Sequence, residues 1–177
     1  MIYVLKNSRT GENINEFYTT LEVTKTEKQL IFEFVCKNSK LYSAYNNYND
    51  PIYIGDVCEA FICTGNDITK YFEIEVAPNN TLFLNKMKCL AVGEVEAEPI
   101  SKEECFITSE TEKLNDTDYR VKFVVPLDKI NYDEKIGIKF NAYRIETEGG
   151  ITDKNLLAVS PTMCDSFHKP ASFIELI

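Results

Sequence analysis

Tryptophan is absent from this chain of 177 residues, and histidine occurs once, at His168. A lone imidazole in a Phe-His-Lys-Pro context, with no Gly-flanked Ser or Cys beside it, leaves a hydrolytic triad without its base. No Gly-x-Gly-x-x-Gly, P-loop or His-Glu-x-x-His pattern is present, so nucleotide and metallopeptidase readings have no foothold. Cys-x-x-Cys is missing too. Cys58 and Cys63 lie five apart, which on a strand sends them to opposite faces, and thiolate zinc is rejected. No apolar run approaches the ~20 residues that a bilayer-spanning helix needs. The stretch from Met1 to Asn7 has no basic segment, long apolar region or small-residue cleavage site. It predicts a protein made without a cleaved signal and kept in the cytoplasm, unless a leader has been removed.

Basic residues are in deficit. The 19 Lys and Arg against 28 Asp and Glu give a formal charge of −9, which repels phosphate backbones and anionic headgroups. Nucleic acid and membrane are therefore excluded as partners. With 44% hydrophobic and 27% charged residues the chain can bury a real core, and one globular domain over 1–177 is expected. The six cysteines, at 36, 58, 63, 89, 105 and 164, fall mostly inside apolar runs. A chain this long does not need disulfide staples, so they read as reduced, buried thiols.

Period-two apolar patterns recur along the chain, while helical spacing does not persist. Tyr119, Val121, Phe123 and Val125 share one face of a strand that Pro126 ends. Leu30, Phe32, Phe34 and Cys36 share another, as do Phe72, Ile74 and Val76 against Tyr71, Glu73 and Glu75. Turn chemistry at Asn49-Asp50-Pro51, Gly65-Asn66-Asp67, Pro78-Asn79-Asn80, Asn115-Asp116-Thr117 and Gly149-Gly150 separates such runs. The pattern predicts an all-β antiparallel sandwich, jelly-roll-like, of about eight or more strands. Residues 11–28 read as a short edge strand, and 127–133 as holding a helical turn. The expected core includes Phe32, Phe34, Ile62, Ile74, Val121, Phe123, Ile138 and Phe140.

Several polar groups invite a chemical reading. The alternation Phe72-Glu73-Ile74-Glu75-Val76 reads first as the solvated face of a strand, although paired carboxylates ~5 to 10 Å apart in a cleft could cleave a glycosidic bond. Oxygen-rich turns at 46–50 and 115–118 are places for calcium, but neither matches a full Asp-x-Asp-x-Asp-Gly loop, and no cofactor is expected. Residues 42–53 crowd Tyr and Asn into a polar connection, a composition suited to sugars, whose C–H faces stack on rings and whose hydroxyls pair with amides and carboxylates. On 138–143, Ile138, Phe140 and Ala142 form the core set, and Lys139, Asn141 and Tyr143 a polar strip read as a solvated face.

Three blocks resemble the family 9 carbohydrate-binding modules. Residues 50–62, DPIYIGDVCEAFI, are similar to the family's D-x-P-[WY]-x-x-D-x-V-E-[VI]-F-[IL], with Cys58 in the position before Glu59. Residues 71–82, YFEIEVAPNNTL, approach Y-x-E-F-E-V-x-P-x-G-T-L. The third block joins 140–146 to 157–162 and 167–173. The resemblance implies a jelly-roll-like sandwich that binds a saccharide without catalysis, two aromatic rings clamping a terminal sugar. It places the rings at Tyr53 and Phe167, a gripping carboxylate at Glu59, the amide-bearing loop position at Asp165, and further contacts at Asn141 and Tyr143, with Arg144 and His168 as support. Two departures stand out: neither ring is a tryptophan, and Glu73 replaces an arginine carried by some members. Two alternatives stay open: a domain that kept the sandwich but contacts protein through its aromatic loop, and a glycoside hydrolase with paired carboxylates. A ring-sized gap between Tyr53 and Phe167 favours sugar; a filled, flat surface favours protein. His168 is expected to brace its loop by hydrogen bonding a backbone carbonyl while Phe167 faces the cleft.

Thiol titration of denatured, unreduced protein should return six reactive groups per chain; a count well below six would refute the reduced assignment.

Overall fold

The computed structural model describes residues 1–37, 40–150 and 154–176. Its strands are β1 (Ile2–Val4), β2 (Lys6–Asn7), β3 (Thr19–Lys25), β4 (Gln29–Lys37), β5 (Val57–Cys63), β6 (Lys70–Val76), β7 (Leu82–Ala91), β8 (Glu94–Pro99), β9 (Thr108–Lys113), β10 (Asp118–Pro126), β11 (Lys139–Glu146), β12 (Asn155–Ala158) and β13 (Ile174–Glu175). Helical structure among the described residues is limited to three 3-10 turns, at 52–54, 127–129 and 170–172. The strands form two antiparallel sheets, a five-stranded one ordered β1-β3-β4-β10-β9 and an eight-stranded one ordered β2-β12-β11-β5-β6-β7-β8, with β13 also on β11.

The main core lies between the sheets, and period two decides who enters it. Leu30, Phe32, Phe34 and Cys36 on β4 and Tyr119, Val121, Phe123 and Val125 on β10 are all buried there. Phe123 pairs with Phe32 across the ladder, and their rings stack at 5.1 Å. Opposite them, Cys58, Ala60 and Ile62 of β5, Ile74 and Val76 of β6, and Phe140 and Ala142 of β11 complete the layer. The expected core residues all belong to it, and the 3-10 turn at 127–129 falls within the predicted 127–133. Residues 19–25 differ from expectation: β3 lies between β1 and β4, so the edge belongs to β1. The short β1 hid this, since three residues carry little pattern.

Arg144, fully buried, ties the sheets at one end. Its guanidinium donates to Thr19 Oγ1 (2.8 Å), to the carbonyls of Phe17 and Lys37 (3.2 Å each) and to the Glu146 carboxylate. It therefore holds β11 to the chain entering β3 and leaving β4. Cys58 meets Cys36 across the same layer with sulfurs 3.5 Å apart, and none of the six cysteines is in a disulfide.

The central strands of the eight-stranded sheet are buried on both faces. Every residue of β5 is buried, as is every residue of β11 after Lys139. The outer face carries a second apolar cluster in which Val57, Phe61, Tyr71, Met87, Tyr143 and Ile145 meet Ile52, Phe167 and Phe173 from the covering segments. Those segments are anchored by buried polar groups. Asp56 accepts hydrogen bonds from Tyr42 N (2.8 Å), Thr147 N (2.7 Å) and Thr147 Oγ1 (2.6 Å). Asn49, with φ of 60°, accepts from Leu84 N at 2.7 Å. Gly55 passes so close to the chain that a Cβ would sit 2.7 Å from Tyr42 O. The reading of Glu73, Glu75, Asn141 and Tyr143 as solvated-face residues is thus overturned, with Glu73 5% and Tyr143 0% exposed. The covering chain is remote in sequence, and strand periodicity cannot report it.

Truncating Phe123 to Ala should lower the unfolding free energy by about 3 to 5 kcal/mol in urea titrations, because a stacked ring at the centre of the layer leaves a void.

Candidate functional site

Covering the outer face leaves a gap. A cavity of about 520 Å³ opens over β5, β6 and β7, lined among others by Tyr53, Glu59, Phe61, Glu73, Glu75, Phe83 and Asn85. The loop from β12 to β13 adds Asp165, Ser166, Phe167 and His168 to its wall, and Lys154 and Arg9 reach it from the sides.

Register explains the floor. Glu59 on β5 pairs directly with Glu75 on β6, Glu75 with Phe83 on β7, and Glu73 with Asn85. Glu73 and Glu75, two apart, share a face. One carboxylate oxygen from each of Glu59, Glu73 and Glu75 consequently lies within 4.8 Å of the other two. All three residues are buried, at 2%, 5% and 1% exposure, and Glu59 Oε1 and Glu75 Oε2 meet no hydrogen-bond donor. Burial pushes the Glu73 carboxyl up to about 8. Burial first and neighbouring carboxylates second also raise Glu59 and Glu75 well above the usual range, with Lys154 opposing weakly. Lys154 Nζ donates to Tyr53 O at 2.6 Å, which fixes the cation at the rim.

The walls are aromatic. Tyr53, on the 3-10 turn 52–54 and 43% exposed, stands edge-on to Phe83 at 5.9 Å. Phe167 stacks on Tyr143 at 4.2 Å and 15°, and Tyr143 OH donates to Phe167 O at 3.1 Å. His168 stacks on Phe61 at 5.1 Å, and its Nδ1 bonds the Tyr71 hydroxyl at 2.8 Å. Its Nε2 lies 3.8 Å from Glu73 Oε1, beyond hydrogen-bond reach, and burial lowers its pKa to about 4, keeping the imidazole neutral. The ring's partner is thus a tyrosine hydroxyl rather than a backbone carbonyl.

Of the residues singled out in the sequence, Tyr53, Glu59, Asp165, Phe167 and His168 line one cavity. Asp165 sits at its mouth in an exposed ion pair with Arg9 (2.5 Å). Asn141 and Tyr143 lie beneath the wall instead. Asn141 Nδ2 donates to Ser160 O at 2.7 Å and Ser172 Oγ at 3.2 Å, and its Oδ1 accepts from Ser160 N at 3.0 Å. Both residues therefore hold the loop that carries Phe167. Arg144 points to the other face, between the sheets. Within 42–53, Tyr53 is the residue that reaches the cavity, and the rest pin the segment, as when Tyr48 OH donates to Ile100 O at 2.9 Å. The turns considered for calcium bond within themselves: Asp50 Oδ2 accepts from Asn47 N, and Asn115 Oδ1 from Thr117 N and Asp118 N. Glu73, Glu75, Asn85 and Lys154 were not singled out as site residues, although the Glu-x-Glu spacing on a strand beside Glu59 was the available signal.

No family model and no curated protein sequence matches the chain. Solved structures do. A candidate carbohydrate-binding protein from Bacteroides uniformis superposes with a TM-score of 0.76 at 14% identity, covering 98% of this chain and 84% of that one. A family 9 carbohydrate-binding module from Caldicellulosiruptor kristjanssonii in complex with glucose gives 0.66 at 15% identity, covering 98% and 82%. The module from that organism in complex with cellotriose gives 0.66 at 14%, covering 98% and 79%. The chain has the β-sandwich fold of family 9 carbohydrate-binding modules.

A carboxyl whose folded-state pKa is raised adds stability below its unfolded value and loses it as pH rises through the folded one. For Glu73 that window runs from 4.5 to about 8. In chelator-treated buffer, Glu73→Gln should therefore raise unfolding free energy at pH 8 by on the order of 2 kcal/mol and change it little at pH 4, read by urea unfolding.

Proposed function

We propose that this protein is a non-catalytic carbohydrate-binding module that holds a mono- or oligosaccharide end in the cavity over β5, β6 and β7. The observation that carries the reading is the joint lining of one space of about 520 Å³ by aromatic rings and by buried carboxylate and amide groups. A pyranose offers an apolar C–H face to the rings and hydroxyls that donate to ionised carboxylates or accept from protonated ones. In this reading Tyr53 and Phe167 stack, and the Glu59 carboxyl on the cavity floor takes a hydroxyl. The fold shared with modules solved on glucose and cellotriose supports the same class of ligand.

The concavity of the site weighs against the flat surface that a protein-contact domain would present. The placement of the acids weighs against hydrolysis. Cleaving a glycosidic bond needs two carboxyls flanking it, whereas Glu59, Glu73 and Glu75 stand side by side on one floor. Purified protein is expected to leave aryl-glycosides intact.

Calorimetric or tyrosine-fluorescence titration with glucose, xylose, cellobiose and longer oligosaccharides should show saturable binding at or below ~10 mM, the range of a few kcal/mol. Silence across all of them would remove the reading. Tyr53→Ala should weaken binding at least about ten-fold while leaving the urea midpoint nearly unchanged, since its ring is half exposed. Phe167→Ala should cost both binding and stability, because that ring is 7% exposed and packed on Tyr143.

A further inference from the structure

Three acids on one buried floor ionise together only against a counter-charge, and the chain supplies one in part. Lys154 is the cation whose charge reaches Glu59 and Glu75; Arg9 is already paired with Asp165, and His168 is neutral. With all three carboxylates ionised, the floor retains two negative charges after Lys154 is counted. Two of its oxygens, Glu59 Oε1 and Glu75 Oε2, are buried without any donor, a state that is most costly when the acceptor is charged. Natural sites rarely keep such orphans unless something else satisfies them.

We infer that Glu59, Glu73 and Glu75 form a site for one divalent, oxygen-preferring cation of the calcium class, which completes its coordination with vicinal hydroxyls of a sugar seated in the cavity. The spacing fits. Oxygens on a common Ca²⁺ lie about 2.4 Å from it, so any two are at most about 4.8 Å apart, and the three carboxylates meet that bound. The donors are hard carboxylates with no thiolate among them, a set that selects calcium or magnesium over softer metals. Magnesium demands a tight octahedron and keeps its waters, whereas calcium accepts irregular, partly organic shells. The ion's charge equals the excess left on the floor. The cavity above the floor leaves room for ligands from a second molecule, as an ion that bridges protein and sugar requires. That the ion holds a sugar rests on the carbohydrate reading; that the ion binds does not.

The test uses the full chain, stripped with chelator. Terbium luminescence sensitised through tyrosine, with calcium as competitor, should report one ion per chain with a calcium Kd below about 1 mM. Calorimetry with calcium alone should agree. Glu59→Gln and Glu75→Gln should each weaken the ion at least ten-fold, and their chelated melting temperatures, equal to or above the parent's, would confirm that they fold. Glu110→Gln, an acid exposed on the five-stranded sheet and paired with Lys122, should bind the ion like the parent. Sugar affinity should fall at least ten-fold when calcium is replaced by chelator. Absence of ion binding at 10 mM calcium would overturn the inference whatever the sugar result. Ion binding with equal sugar affinity in calcium and in chelator would overturn the bridging role and leave the ion site standing. Ion binding with no sugar response in either buffer would support the ion site and remove the carbohydrate reading. Preferential binding of glucosamine over glucose in chelator would assign the carboxylates to an ammonium group and overturn the metal.

Discussion

Three carboxylates held together on a largely buried sheet face set the terms for the rest of the site. With oxygens no more than 4.8 Å apart, each ionised pair repels by at least about 3 kcal/mol at an effective dielectric of about 20. Burial adds to this by disfavouring every charged form. Glu59 and Glu75 cannot move apart, because they are directly paired across two central strands whose other faces are locked into the main core by Cys58, Ala60, Ile74 and Val76. The sandwich thus imposes the cluster: moving any of the three to the opposite face would require a one-residue slip that exposes the core. The cost of the cluster is carried by the stability of the two-sheet fold.

What closes over that face is irregular chain, and its accuracy depends on buried polar groups. Segment 41–56 is fixed by Asp56, which bonds both Tyr42 and Thr147, and by Asn49, which bonds β7. The loop from β12 to β13 is fixed by Asn141 through Ser160 and Ser172, and by Tyr143, which carries Phe167 on its ring and holds its carbonyl. Loops built this way position a side chain nearly as well as a strand does, because each bond to a sheet residue inherits the sheet's rigidity. His168 belongs to the same device. Clamped between Phe61 and the Tyr71 hydroxyl, it presents a neutral Nε2 toward Glu73 and does not titrate near pH 7.

Much of the architecture was legible before any coordinates. Alternation in Tyr119 to Val125 and Leu30 to Cys36 placed the strands and their inward faces, because an inter-sheet core obeys a local rule; the pairing of Phe32 with Phe123 across the ladder came from the structure. The second buried layer obeys no local rule. Glu73, Glu75, Asn141 and Tyr143 alternate with apolar residues just as solvated positions do, and what buries them arrives from residues 41–56 and 159–173. The family-like blocks led to Tyr53, Glu59, Phe167 and His168, all at the cavity. They also suggested Asn141 and Tyr143 as contacts, although a position on the right strand face can lie one layer too deep. Lys154 left no trace at all: a single lysine in a polar stretch becomes informative when the Tyr53 carbonyl is seen to accept its proton.

In the proposed carbohydrate reading, the missing tryptophans and the crowded acids both alter how the cavity holds a sugar. Phenylalanine and tyrosine rings cover less of a pyranose face than indole does, and apolar contact yields only ~25 cal/mol for each Å² removed from water. The loss at two rings is therefore a few tenths to about 1 kcal/mol each, small but not recovered by geometry. Polar contacts within a dry cavity are the larger reservoir, since a hydrogen bond to a charged group is worth about 1.5 to 3 kcal/mol. Replacing an arginine of the family-like pattern by Glu73 removes a permanent donor, so the floor, once ionised, cannot satisfy both the hydroxyl hydrogens and the hydroxyl oxygens of a sugar by itself. Acceptors now dominate, and the oxygens of the ligand need a positive partner that Lys154, held by Tyr53, supplies only at the rim. In the proposed carbohydrate reading, affinity accordingly follows the charge state of the floor more closely than the area of its rings.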